Sequence, residues 1–450
     1  MKNESLESKI NRIGSAVDMM RNSQIGPYLF PIEPEYTNWR DEQEAWRKTA
    51  ILFNQSYHMT DLYIEGPDCY KLLSALGVNT FNNFGPNKAK QFVVCNYDGY
   101  VIGDSILYGI GENKVNIVGR PPTINWVSFH AETGDYDVTI RRDERSLYNP
   151  QPRETYRFQV QGPNAQKIFE KVNGGPVGKT KFFHMLEFNI GDYKVTGLNH
   201  QMSGFPGFEF WGPADEGDAV KTVLVEAGAE FGLKLGGSRS YSTSAIESGW
   251  IPSPMPAIYA GDKMRAYREW LGANSFEAIA SLGGSYVSDN IEDYYQTPWD
   301  LGYGFMVKFD HEFIGRAALE EMAKRKHRKK SWLYWDKEDV LKIFGSMYEQ
   351  GDNRYKYLEL PAAHYATHPL DKIMKNGKMI GLSTYPVYSA NIRGWISLCM
   401  IDEDEVIYGD EVTVVWGEPD GGSDKVGVER HIQLDVKAKI APKPFTQIKV

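Results

Sequence analysis

The chain has little of what marks a secreted, metal-bound or membrane protein. Its 450 residues include three cysteines and nine histidines. Cys69, Cys95 and Cys399 lie far apart without metal-ligand spacing, so free thiols in a reducing cytoplasm are expected. No histidine stands in a tight pattern with cysteine or carboxylate, and no metal is expected. No apolar run approaches the ~18 residues of a membrane span. The N-terminal Met1-Lys2-Asn3-Glu4-Ser5 carries no apolar signal core, so a cytoplasmic protein with no membrane partner is expected. Positive charge is also short: 50 Lys and Arg face 59 Asp and Glu, a net charge of −9. That argues against broad contact with nucleic acid or anionic lipid. The one basic run, Lys324-Arg325-Lys326-His327-Arg328-Lys329-Lys330, reads as solvated linker. Ser281-Leu282-Gly283-Gly284-Ser285 lacks the spacing and preceding strand of a phosphate loop and reads as a turn.

What is present is an ordinary globular composition, long enough for two or three domains. Aromatic residues reach 13%, which suits a pocket for flat ligands and equally a well-filled core. Periodicity predicts helices over 6–22 and 41–51. A strand from Thr60 to Glu65 leads into a helix over 68–76. Strands follow at Phe92–Tyr97, Val101–Tyr108 and Lys114–Val118, then a helix opened by Pro121-Pro122. Strands at 155–161 and 182–198 flank another helix, and a helix over 217–231 ends at Gly232. Glu65-Gly66-Pro67-Asp68 and Gln161-Gly162-Pro163-Asn164 both order strand, Gly-Pro turn and helix, which suggests two related α/β units. Residues 378–439 turn β-rich, as in a small antiparallel barrel or sandwich.

The stretch from Gly236 to Trp250 offers chemistry. After a Gly-Gly turn come Tyr241, Glu247 and Trp250. A carboxylate binds a donor-rich ring edge, an indole covers a ring face, and a tyrosine hydroxyl can serve a departing phenolate. The same residues also fit a capped helix with a core tyrosine.

Several segments in order resemble the aminomethyltransferase (glycine-cleavage T-protein) superfamily, and most of all its tetrahydrofolate-dependent aryl O-demethylases. They include Arg21–Gly26, Asn38–Gln43, Leu52–Met59, Tyr100–Asp104, Val118-Gly119-Arg120, Phe158–Pro163, Glu247–Pro254, Ser288–Tyr295 and Val307–Arg316. The resemblance covers almost the whole chain. It implies an α+β fold: a three-domain cloverleaf with two interleaved α/β domains over 1–325 and a C-terminal antiparallel β-barrel over 326–450. It implies tetrahydrofolate as methyl acceptor, a small methoxylated aromatic acid as substrate, and a phenol and 5-methyltetrahydrofolate as products. It says nothing of oligomeric state.

The resemblance also implies roles. Tyr241 is similar to the catalytic tyrosine that protonates or hydrogen-bonds the leaving oxygen. Glu209, between Phe208 and Phe210, is similar to the pterin-binding glutamate; simple alternation would turn it to water instead. Glu247 and Trp250 are folate candidates, with the ring contact open between them. Gln159 or Gln161 offers an amide to the pterin, and Val118 lies beside it. Arg120, at a strand end before Pro121-Pro122, suits the substrate carboxylate, with His58 and Gln55 nearby. Asp104 stands where aminomethyltransferases use an acid, but Gly103 replaces the usual first of two. Phe30 and Tyr57 stand where vanillate demethylases tend to carry tyrosine and histidine, so the ring-substituent contacts differ and vanillate itself is in doubt. Two rivals remain: a folate-dependent methyl- or aminomethyltransferase with a non-aromatic donor, and a non-catalytic folate-binding regulator.

Overall fold

A computed structural model describes residues 4–26, 31–146, 151–202, 204–351, 353–419, 421–422 and 425–442. Two larger sheets, a two-stranded parallel pair and a barrel divide the strands; the pair joins Leu282–Gly283, expected within a turn, to His368–Pro369. A six-stranded sheet runs in the order 233–236, 50–54, 155–161, 207–213, 193–199, 185–190. A five-stranded sheet runs 89–95, 101–111, 114–119, 60–65, 139–143. The chain lays one strand (Ala50–Asn54) in the first sheet, builds the whole second sheet, and returns with Thr155–Gln161 to pair antiparallel with the strand it left. The third body is a closed barrel of six strands, 328–335, 394–402, 378–389, 371–375, 411–416 and 434–441. No helix among the described residues is long and apolar enough to cross a membrane.

The two Gly-Pro turns share one geometry. Gly66 and Gly162 have φ of 145° and 133°, a region that only glycine enters freely. A side chain at either would strike the backbone carbonyl of Asp137 or Thr49. Each turn passes into a helix of the same length, Cys69–Leu76 and Ala165–Val172, so the sequence echo is also a structural one.

Some elements differ from the sequence reading. The helix expected over 6–22 is two helices, Leu6–Ile13 and Ala16–Arg21. Gly14 adopts φ 92° and caps the first, while the Ser15 side chain caps the second. The helix expected over 41–51 is Trp39–Lys48, and Ala50 and Ile51 already belong to a strand. The strand expected over 182–198 is a hairpin, Met185–Ile190 and Tyr193–Asn199. The basic run is not all linker: Arg328, Lys329 and Lys330 open the first barrel strand. Lys330 is half-buried there and donates to the Gly249 carbonyl at 2.8 Å. The Trp332 indole donates to the Ile246 carbonyl at 3.1 Å. The barrel thus satisfies the C-terminal carbonyls of the helix Ser238–Ser248, which carries Tyr241.

Candidate functional site

Side chains two apart on a strand share a face. On Thr155–Gln161, Tyr156, Phe158 and Val160 face a core with the helices Ala165–Val172 and Gly217–Gly228. Arg157, Gln159 and Gln161 face the other way. On the neighbouring strand Glu209 pairs with Gln159, and Trp211 with Arg157. This polar face meets the rest of the protein rather than solvent, so all three side chains are buried. Buried polar groups need partners, and here they have them.

Glu209 sits at the centre. Its Oε1 accepts from Tyr108 Oη at 2.6 Å and from Arg157 Nη1 at 2.9 Å. Its Oε2 lies 3.7 Å from His200 Nδ1. Arg157 also donates to Asp61 Oδ1 at 3.0 Å, and its guanidinium lies over the rings of Tyr108 and Trp211. Burial works against the Arg157 charge, but the Asp61 and Glu209 carboxylates outweigh it and raise its pKa. Burial, and then the Glu209 charge, raise the Tyr108 pKa and keep that hydroxyl a donor. Asp104 accepts from the Trp250 indole at 3.1 Å, from Tyr303 Oη at 3.1 Å and from the Gln91 amide. Burial raises its pKa against those bonds.

Tyr241 lies in the first turn of the helix Ser238–Ser248. The helix start is tied to buried Glu42, whose Oε2 accepts from Gly237 N at 2.8 Å and Ser240 Oγ at 2.9 Å. The Tyr241 ring packs edge-on against Phe53 and His58. Its hydroxyl accepts from Gln55 Nε2 at 3.0 Å and lies 3.2 Å from His58 Nε2. Burial raises the Tyr241 pKa, so the group is a protonated phenol at neutral pH. Burial, and then nearby Arg120, hold His58 well below the usual histidine range, so its ring is neutral.

These groups surround a cavity of about 250 Å³, lined among others by Gln55, His58, Asp104, Tyr108, Val118, Arg120, Glu209, Tyr241 and Trp250. A smaller lobe of about 50 Å³ adjoins it. The two share His58, Met59, Arg120, Tyr241 and Trp250, and the smaller adds Pro252, His364, Thr367 and Tyr385. Arg120, at the head of the helix Pro121–Thr133, therefore stands between a lobe with Glu209 and a lobe walled by residues 364–385.

Four expected site residues lie elsewhere or are spent otherwise. Glu247 is 1% exposed and faces away from the cavity: it accepts from Trp46 Nε1 at 3.0 Å, from Ser389 Oγ at 2.5 Å and from Asn391 Nδ2. Six residues after Tyr241 on the same helix, it points to the barrel side and does not line the cavity. Gln161 gives its amide to the His200 carbonyl and does not line the cavity. Gln159 accepts from Gln55 and reaches His200, again behind the wall. Tyr57 is 37% exposed and outside both lobes. Phe30 lies outside the described residues. Sequence reasoning passed over Arg157, Tyr108, Tyr303, His200, His364 and Tyr385. For Arg157 a signal existed: Tyr-Arg-Phe-Gln-Val-Gln alternates cleanly, and its polar half was a wall waiting for an occupant.

Comparison with known proteins agrees with this architecture. Residues 15–253 match the family described as GCVT N-terminal domain. The chain is 48% identical over 447 residues to syringate O-demethylase of Sphingobium sp., covering 99% of this chain and 96% of that one. It is 26% identical over 401 residues to sesamin methylene transferase of Sinomonas sp., covering 86% of each. Its fold is similar to the crystal structure of glycine cleavage system aminomethyltransferase T from Bartonella henselae, with a TM-score of 0.60, 15% identity and 94% of each chain covered.

Proposed function

This chain belongs to the aminomethyltransferase-type (GCVT-domain) family, and from that premise and the cavity's chemistry we propose that it is a tetrahydrofolate-dependent aryl O-demethylase. The substrate is a methoxylated aromatic acid of the syringate kind. The observation that carries this reading is the joint placement of Glu209, Tyr241 and Arg120 on the wall of one cavity.

The residues present fit both ligands. Glu209 lines the larger lobe with Oε1 committed to protein donors, and its carboxylate would give a donor-rich pterin edge a charged acceptor. Trp250 and Val118 supply apolar wall for the ring. Arg120 holds the carboxylate of the aromatic acid. Tetrahydrofolate supplies the nucleophilic nitrogen, N5, that accepts the methyl group. The protein aligns the two partners and tends the leaving oxygen.

The overall exchange balances without oxidant or reductant. The methyl carbon leaves the ether oxygen, which keeps the bonding pair and takes up the proton given up by N5. Tyr241 stands ready as a hydrogen-bond donor to that oxygen. Because burial raises its pKa, it shares its proton as charge develops rather than surrendering it beforehand. The Trp250–Asp104–Tyr303 cluster keeps the Asp104 carboxylate beside the larger lobe, and Gly103 leaves one acid where aminomethyltransferases use two.

The test is an anaerobic incubation with tetrahydrofolate and syringate, vanillate, 3-O-methylgallate or the monomethoxybenzoates, with phenol and 5-methyltetrahydrofolate followed together by chromatography. Equimolar products from at least one acid support the reading. Folate binding without turnover on any of them would move the protein to the non-aromatic donors or the regulator.

A further inference from the structure

We propose that Gln55 and Gln159 are a positioning pair that sets the hydroxyl of Tyr241 so that its proton faces the leaving oxygen. This rests on the demethylase reading above. Gln159 is fully buried on the strand Thr155–Gln161. Its Oε1 accepts from Gln55 Nε2 at 2.9 Å, and its own Nε2 lies 3.4 Å from His200 Nδ1. A side-chain amide has one accepting end and one donating end. With the Gln159 oxygen turned to Gln55, the Gln55 nitrogen must face it. The second hydrogen of that nitrogen then reaches Tyr241 Oη at 3.0 Å. Gln55 Oε1 is left without a hydrogen-bond partner among the described residues, so the amide accepts that loss to donate twice. Flipping Gln55 alone would set its oxygen against the Gln159 oxygen and would turn Tyr241 into the donor, spending the proton on Gln55.

The consequence falls on Tyr241. Gln55 fills one lone pair of its oxygen as donor. The hydroxyl proton must therefore go elsewhere, to His58 Nε2 at 3.2 Å or to an ether oxygen arriving beside it. The donated bond also steadies negative charge on the tyrosine oxygen as its proton is shared. Burial raises the Tyr241 pKa and the bond from Gln55 lowers it. Gln159 does not line the cavity and acts only through Gln55.

The test uses the full chain with Gln159→Met and Gln55→Met, each close in shape to glutamine but unable to make these bonds. In the first arm, a polyfluorinated tyrosine acidic enough to titrate replaces Tyr241, and fluorine NMR follows it without folate or substrate. Both methionine variants are expected to raise its apparent pKa; an unchanged value overturns the proposal. In the second arm, kcat and KM are measured over methoxybenzoates whose product phenols differ in acidity. The expected loss is about tenfold in kcat for the least acidic phenol. It should shrink as the phenol becomes more acidic, with KM little changed. An equal loss for every substrate, or a loss in KM alone, would mean packing only and overturns the positioning role. If Gln159→Met does not fold, Gln55→Met carries both arms. If the parent protein turns over none of the acids, the demethylase reading fails while the fluorine titration still decides whether the pair controls Tyr241.

Discussion

At the scale of single residues, the proposed reaction would rest on a few side chains whose charge states burial sets. Tyr241→Phe keeps the edge-on packing against Phe53 and His58 but removes the donor. It is expected to lower kcat by about 100-fold or more with little change in folate affinity, measured by steady-state kinetics beside a binding titration. Glu209→Gln has the opposite signature. It leaves Arg157 short of a counter-charge and removes the charged acceptor, so tetrahydrofolate binding is expected to weaken about tenfold or more, read by quenching of protein fluorescence. Much of this wall was legible in the sequence. Tyr241, Trp250, Glu209, Asp104, Arg120 and His58 all line the cavity. That Glu247 and Gln161 lie outside the cavity wall was not legible, because their partners, Asn391 and His200, come from segments whose proximity no local pattern encodes. Gln55 was read as a substrate contact, and the bonds that turn it to Gln159 and Tyr241 reach a strand and a helix far along the chain.

At the scale of elements, the helix Ser238–Ser248 is the part that must not move. Its start is tied to Glu42, and its end to Lys330 and Trp332 of the barrel. Glu247 in its last turn gathers donors from the helix Trp39–Lys48 and from the barrel loop 389–391. Burial raises the Glu247 pKa, and the bonds from Ser389, Trp46 and Asn391 oppose that rise. Glu247→Gln turns one donor against another and is expected to cost about 1–3 kcal/mol of stability. A lower denaturation midpoint would accompany a reduced kcat, since Tyr241 shares the helix; an unchanged midpoint would contradict the anchoring role. Gly249, just past the helix end, has φ 84° and faces the Trp332 indole where a side chain would begin. The sequence located a helix end well where a glycine terminates it, as at Gly232. It failed where a break sits inside one hydrophobic pattern, as at Gly14, because the apolar spacing of 6–22 continues across the interruption.

At the scale of the whole molecule, the barrel completes the site as well as stabilising it. His364, Thr367 and Tyr385 close the smaller lobe, and this was not visible in a β-rich stretch read only as a barrel or sandwich. The same burial has a thermodynamic consequence. Burial lowers the pKa values of His130, His364 and His368 to about 4, and lowers those of His58 and His200 as well. A histidine unfolded titrates near 6.5, so below that pH the unfolded chain binds more protons than the folded one. Stability from these groups is complete above about pH 6.5 and is lost as pH falls toward 4. Burial acts in the other direction on Asp371, raising it to about 6, so its contribution is present below its unfolded value and lost as pH rises through 6. Burial raises Asp104, Glu247, Glu277 and Asp300 in the same sense. Between pH 7 and pH 5 the five histidines outweigh these carboxylates, because the unfolded value of histidine lies inside that window and those of Asp and Glu lie below it. The melting temperature is therefore expected to fall by several degrees from pH 7 to pH 5, with proton uptake on unfolding. A flat or rising melting temperature over that range would show that the histidines are not held neutral.

The most direct measurement of the central claim follows the methyl group itself. Syringate carrying trideuteromethyl ethers is incubated anaerobically with the protein and tetrahydrofolate, and the folate product is examined by mass spectrometry. The expected result is 5-methyltetrahydrofolate retaining all three deuterons, in equal amount to the demethylated phenol, and lost in Tyr241→Phe. Phenol formed with formaldehyde in place of labelled methylfolate, or no phenol at all, would contradict transfer of an intact methyl group from an aryl ether to folate.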